Sequence, residues 1–361
     1  MSMQYTAEML LCELQGRLAG EVAADEMTIY LRSIARRLTL YGDTRKALNS
    51  DRFFGRFFEF PLRILPRRTQ YDLFHVTDHS YAQLVHSLPA ERTGVFCHDL
   101  DAFRCLLQPH REPRRLYFKT MMAWVLRGMQ RAAVVFYSTQ AIRTRIEQLG
   151  IIDPKRLIHA PYGTAEEFRL EPMSGETSAS VLSPLNGNPY LLHVGSSVAR
   201  KRLDVLFQVF AELLRLHPEL WLVQVGARLE SKHHQQIKKL GIGHRVLQPA
   251  KLDRPTLAGV YRGATLALMP SSAEGFGLPV VEALACGTAV VASALPVFLE
   301  VGGEAVTFVP MDDIGWWVES VDRLLRRPDT GPSRETRLRH ASQYTWKKHG
   351  RTVLDAYLKL L

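Results

Sequence analysis

Residues 271–293 read S-S-A-E-G-F-G-L-P-V-V-E-A-L-A-C-G-T-A-V-V-A-S and hold a complete supersecondary unit. The apolar run just before them, residues 266–270 (LALMP), predicts a buried strand that stops at Pro270. Gly275 and Gly277 supply a turn, and a helix is expected from about Leu278. Pro279 falls in its first turn, where a missing N–H removes no intrahelical bond. Gly287 closes that helix, and residues 289–292 (AVVA) start the next buried strand. Backbone N–H groups at a helix start attract an anion, most often a phosphate. Glu274 before the helix and Glu282 within it, eight positions apart, carry the wrong charge for phosphate and suit hydroxyl groups. Together these parts predict a sugar-nucleotide site.

The same alternation runs through the chain. In the first half, strands are predicted at 73–77 (LFHVT), 94–97 (GVFC), 133–137 (AVVFY) and 156–161 (RLIHAP), with a helix over 116–131 and a helix-like or mixed segment at 28–40. The stretch 171–189, rich in Ser, Pro, Gly and Asn, reads as a linker. The second half repeats the pattern, with strands at 190–194, 220–225, 245–248, 265–269, 288–292 and 305–309. Strand and helix alternating twice over predicts an α/β protein of two doubly wound, Rossmann-like parallel sheets with ligands at the C-terminal ends of the strands. Arg200 and Lys201 follow the strand at 190–194 and the loop Gly195-Ser196-Ser197, where two cations suit a diphosphate. His98-Asp99 follows the strand at 94–97 and is expected at the same edge of its own sheet.

With those residues in view, the chain resembles the family-4 glycosyltransferases, retaining enzymes of the GT-B fold. Their signature carries two glutamates separated by seven residues around G-F-G-L-P, matched here by Glu274 and Glu282. The resemblance extends to residues 192–206 (LHVGSSVARKRLDVL), to His98-Asp99-Leu100, to 137–146 (YSTQAIRTRI) and to Tyr344-Thr345-Trp346. It implies two domains facing an interdomain cleft: an acceptor-side domain at 1–172, a linker at 173–189, a nucleotide-sugar domain at 190–343, and a helix at 344–361 returning to the first domain. It also implies roles. Lys201 matches the phosphate-binding lysine, with Arg200 beside it; Ser196 stands where the family often has a second cation. Glu282 matches the acid on the ribose hydroxyls, and Glu274 the acid facing the donor sugar. The amides of Phe276, Gly277 and Leu278 meet the sugar or diphosphate, near Gly195 and Ser196. His98 lies by the anomeric centre, which places it with Glu274, Arg200 and Lys201 as the catalytic set. Asp99, Ser138 and the basic run 104–119 are acceptor-side wall candidates, and the base is expected near 245–252.

The implied activity is hexosyl transfer, with retention, from a nucleotide-diphosphate sugar (GDP-mannose or UDP-hexose) to a saccharide or lipid-linked saccharide, in cell-surface polysaccharide or glycolipid synthesis. Two alternatives stand: a non-catalytic GT-B sugar-nucleotide-binding protein, motivated by Ser196, and a GT-B sugar-nucleotide epimerase. No cluster of His, Cys and acids has metal-ligand spacing, so neither metal nor cofactor is expected.

The 361 residues suffice for two domains, and 46% hydrophobic with 23% charged residues is ordinary globular composition. Cys12, Cys97, Cys105 and Cys286 are scattered, without a C-x-x-C pair, and read as reduced core thiols of a cytoplasmic protein. No apolar run reaches spanning length. The formal net charge of +10 is concentrated in residues 29–70, where ten Arg/Lys face three acids. The segment from Arg52 to Arg68, RFFGRFFEFPLRILPRR, has two open readings. As a helix it puts Arg52, Arg56, Glu59 and Arg63 on one stripe flanked by Phe53, Phe57, Phe60 and Ile64, suited to the inner face of an anionic membrane. Alternatively, the phenylalanines pack into the first domain and the arginines are solvated. No nucleic-acid module is present, so nucleic acid is not expected as partner. Residues 2–5 lead directly into the helix-like 7–17, so the family's first strand is expected to be missing, with a native start upstream of Met1 or natural divergence as the two explanations.

Overall fold

A computed structural model describes residues 29–30, 53–69, 71–226 and 228–360. The expectations for residues 1–17, for Cys12, for Arg32 to Lys46 and for Arg52 lie outside the described residues. The chain forms two compact units, residues 1–161 with 346–361, and residues 162–345.

Unit 1 holds five parallel strands in spatial order of sequence: β1 (Ile29–Tyr30), β2 (Leu73–Val76), β3 (Thr93–Cys97), β4 (Val134–Tyr137) and β5 (Leu157–His159). Strands β2, β3 and β4 are buried at every residue, as a parallel sheet covered on both faces requires. The helix Leu116–Arg131 lies on residues 79–87 so closely that a Cβ at Gly128 would sit 2.0 Å from the Ala82 carbonyl oxygen. The last helix, Trp346–Leu358, belongs to this unit. Its Tyr357 hydroxyl donates to the Phe74 carbonyl at 3.0 Å and lies 2.8 Å from His75 Nδ1, tying the chain's end to β2.

The apolar side chains of the Phe-rich segment divide between core and surface. The segment is helical, with a wide π turn at Gly55–Glu59 followed by Phe60–Ile64. The π turn carries extra residues per turn and so rotates the expected faces. Phe60 and Ile64 are buried and Phe57 packs against the core, while Phe53, Phe54, Phe58, Leu62 and Leu65 are exposed. Arg56 leaves the expected solvated stripe altogether. It turns inward, its guanidinium 4.3 Å from the Tyr81 ring centroid and hydrogen-bonded to the Ser80 carbonyl.

Unit 2 is a six-stranded parallel sheet: β6 (Tyr190–Gly195), β7 (Trp221–Gly226), β8 (Val246–Leu247), β9 (Leu266–Met269), β10 (Ala289–Ser293) and β11 (Thr307–Val309), in spatial order β11-β10-β9-β6-β7-β8. The chain starts at β6, builds outward to β8, then returns to the other side of β6 with β9. The β6/β9 border is therefore a switch point, and the loops leaving those two strands emerge side by side at their C-terminal ends. The helix Leu203–Leu216 shows why the sequence takes this form. Val205, Leu206, Val209, Phe210 and Leu213 recur at helical spacing and are buried, while Asp204, Gln208, Glu212 and Arg215 point outward.

The linker expected at 173–189 is not a connector between the units. The chain passes from one to the other at Pro161–Tyr162 and returns at Thr345–Trp346, and residues 171–189 are part of unit 2. Within them Ser178–Leu182 is helical, Leu185 is buried, and Thr177 hydrogen-bonds Thr256 Oγ1. Their Ser, Pro and Gly content serves short caps and turns rather than a loose tether.

Candidate functional site

The switch point brings residues 195–201 and 271–277 together, and the Ser272 amide donates to the Arg200 carbonyl at 2.7 Å. At the centre is Glu274, whose side chain is only 7% exposed. Lys201 Nζ lies 2.5 Å from one carboxylate oxygen, Arg200 Nη1 lies 2.8 Å from the other, and Ser271 Oγ donates at 2.7 Å. Arg200 also donates to the Ala273 carbonyl at 2.9 Å. Burial alone would raise the Glu274 carboxyl, but the charges of Lys201 and Arg200 outweigh it and hold the group below its ordinary range.

The turn that follows depends on glycine. Gly277 has φ +90, and a Cβ there would stand 2.6 Å from Phe298 Cε1. It leads into Leu278–Ala285, with Pro279 in the first turn, as expected. Among the described residues the amides of Phe276, Gly277 and Leu278 make no backbone hydrogen bond, which leaves donors for an anion. The Phe276 ring is buried edge-on between Tyr162 and Tyr344.

Glu282 is placed differently from Glu274. It is buried, and one carboxylate oxygen accepts from the Tyr261 hydroxyl at 3.0 Å. Loss of hydration is the main cause of a carboxyl pushed up to about 7, which the Tyr261 bond offsets only partly.

Gly195 ends β6, and Ser196 follows it. A Cβ on Gly195 would lie 3.0 Å from His193 Cε1 and 3.3 Å from Lys201 Cε, and one on Gly226 only 2.0 Å from the Gly195 carbonyl oxygen. Gln224 Nε2 donates to that carbonyl at 3.1 Å, and Gln248 Nε2 to Gln224 Oε1 at 3.0 Å. His193 is buried against Lys201 and is neutral, its pKa lowered to about 3 by burial first and then by the lysine.

In unit 1, His98 and Asp99 follow β3. The His98 amide donates to His79 Nδ1 at 3.3 Å, and His79 Nε2 lies 3.6 Å from the Asp99 carboxylate. Burial lowers the His98 pKa, against a smaller opposing pull from Asp78. Ser138, just past β4, is buried, so the structure does not present its side chain as a wall residue. Among the described residues no group of three His, Cys, Asp or Glu could hold a metal ion, and no helix is long and apolar enough to cross a membrane.

Residues 176–343 match the sequence family of glycosyl transferases group 1. This segment is a group 1 glycosyl transferase domain. The D-inositol 3-phosphate glycosyltransferase of Mycobacterium leprae is 34% identical over 187 residues, covering 49% of this chain and 43% of that protein. The enzyme of that name from Mycolicibacterium smegmatis is 38% identical over 126 residues, covering 34% and 29%. The chain thus spans less than half the length of these curated relatives. Sucrose-phosphate synthase from Thermosynechococcus elongatus superposes with TM-score 0.71 at 20% identity, covering 90% of this chain and 82% of that one. Anabaena HepE in complex with UDP and glucose gives 0.70 at 18%, covering 85% and 83%. The two parallel-sheet α/β units are those of the GT-B fold.

Within the group 1 domain, sequence reasoning missed Tyr261, His193 and the Gln248–Gln224 relay. Their signals were faint. A polar residue inside an apolar strand, as in 190–195 (YLLHVG) and 221–226 (WLVQVG), marks a buried group that must find a partner. Tyr261 had no such flag, since an aromatic on a helix is ordinary core.

Proposed function

We propose that this chain transfers a hexosyl group from a nucleoside diphosphate sugar to a saccharide or lipid-linked saccharide, with retention and without a metal ion. The observation that carries the reading is the clamp of Glu274 by Lys201 and Arg200 beside the unbonded amides of 276–278, within a group 1 domain. Two cations and a helix start suit a departing diphosphate, and a carboxylate beside them suits sugar hydroxyls. Arg200 is the more exposed cation, so it is the one expected to turn from Glu274 to the diphosphate. Glu282 is assigned to the ribose and His98 to the donor sugar. In the transfer the bond from the anomeric carbon to the β-phosphate oxygen breaks and the acceptor oxygen bonds on the same face. The acceptor proton passes to the leaving phosphate, so no protein nucleophile is required. The UDP and glucose held by the HepE structure favour testing a UDP-hexose first.

The test is a panel of UDP- and GDP-sugars scored by thermal shift, followed by nucleotide release with candidate acceptors in the presence of EDTA. A donor should raise the midpoint, and Lys201→Ala should abolish the rise. Binding without any release would favour a non-catalytic sugar-nucleotide protein, and donor turnover without acceptor would favour an epimerase. For a lipid-linked acceptor, the exposed Phe53, Phe54, Phe58 and Leu62 beside Arg63 and Arg68 are the proposed contact with an anionic bilayer. Replacing Phe54 and Phe58 by Ser should then abolish flotation with phosphatidylserine vesicles; unchanged flotation refutes this role.

A further inference from the structure

The donor loops leave the C-terminal ends of the unit 2 strands. At the opposite ends, where β9, β10 and β11 begin, lies a cavity of about 850 Å³ that the proposed transfer does not use. Three arginines line it: Arg262, Arg334 and Arg337. Arg262 is satisfied, bonded to the Glu176 carboxylate and at 2.8 Å to the Arg169 carbonyl. Arg337 is not, and Arg334 is an exposed cation on the same cavity. Arg334 has no hydrogen-bond or ion-pair partner among the described residues. Arg337 donates Nη1 to the Pro332 carbonyl at 2.8 Å, but its Nε is buried without a partner. Burial, and then the like charge of Arg334, disfavour its charged form. The one acid in the lining, Asp329, is a surface residue 3.4 Å from Arg327.

A buried N–H without a partner and two guanidiniums sharing a cavity are both unfavourable, and a single species removes both costs. That species is an anion able to accept from two planar forks, for which a phosphoryl group is the best geometric match. The cavity lies in the size range of small-molecule sites and is far larger than a bare phosphate, and Leu170 and Leu324 give it apolar wall for an organic body. We propose that this cavity is a second ligand site of unit 2, taking a small phosphomonoester whose phosphoryl group is held by Arg334 and Arg337.

The experiment is hydrogen-exchange mass spectrometry and calorimetry on the full chain with glycerol 3-phosphate, and inorganic phosphate as the minimal probe. The expected result is slowed exchange confined to residues 328–340. In Arg334→Ala/Arg337→Ala, binding should weaken about tenfold or more, the scale of losing charge-assisted bonds to a dianion. Arg334 is exposed, so Arg334→Ala alone keeps the test valid if the double variant fails to fold, with a loss of about threefold or more expected. Binding unchanged in the variants overturns the proposal. So does protection at 195–201 and 271–278 instead, or no binding of either probe up to about 10 mM.

Discussion

Lys201→Met is the perturbation that bears most directly on the Glu274 clamp. The pair is buried, with side chains 11% and 7% exposed and 2.5 Å apart. Removing one partner of such a pair costs about 3–5 kcal/mol when nothing else remains. Here Arg200 and Ser271 still hold the carboxylate, so about 2–3 kcal/mol is expected. Glu274→Gln should cost at least as much, because it leaves Lys201 buried beside Arg200. The double variant should cost less than the sum of the singles by about 1.5 kcal/mol or more, since it leaves neither charge stranded. The readout is exchange of the amides of Leu278–Ala285, which reports local opening in unit 2 without assuming that both units unfold together. The pH dependence has a definite sign. The folded carboxyl is depressed, so its contribution is present above the ordinary glutamate range and is lost as pH falls through the folded value. In Lys201→Met that depression shrinks, so the deficit relative to wild type should be largest near pH 7 and should shrink toward pH 4. A deficit independent of pH, or strictly additive costs, would refute the clamp as the source of stability.

Glu282→Gln should move stability the other way. A carboxyl raised to about 7 is favourable below the unfolded value, and that advantage is lost as pH climbs from about 4.5 to about 7. The glutamine variant should therefore match wild type near pH 4 and exceed it near pH 8 by about 3 kcal/mol, read by denaturant unfolding; equal curves at both pH values would contradict the buried placement. Gly277→Ala, at φ +90 and against Phe298, should cost about 1–3 kcal/mol. Its exchange signature should centre on the Leu278–Ala285 helix, and wild-type exchange there would exclude the strained turn. Gly128→Ala should push Leu116–Arg131 off residues 79–87 at a cost of about 1–3 kcal/mol, visible as faster exchange in both segments.

Much of the fold was readable along the chain because its causes are local. The helix over 278–285 was announced by Gly277, Pro279 and Gly287, and the apolar runs flanking it could only be buried strands. Ten such runs alternating with helical periodicity left little choice but two parallel sheets. Composition distinguishes turns from helices but not a tether from a packed edge, so residues 171–189 resemble a linker in the sequence yet pack as part of unit 2. A π turn breaks the periodicity on which faces are counted, so Arg56 leaves the stripe that a regular helix would give it.

What the sequence by itself determined, then, is the pair of α/β units, the strand–turn–helix around Gly277, and the residue types available at each strand end. Only the tertiary structure decided which of them meet. Arg200 and Lys201 reach Glu274 across more than seventy residues because β9 pairs with β6, a choice of strand order that no local pattern encodes. The same packing turned Glu282 inward to Tyr261 and left Arg334 and Arg337 facing one cavity. Periodicity fixes which face of an element is apolar, whereas partners for charge depend on long-range register, and burial then determines how strongly each charge is felt.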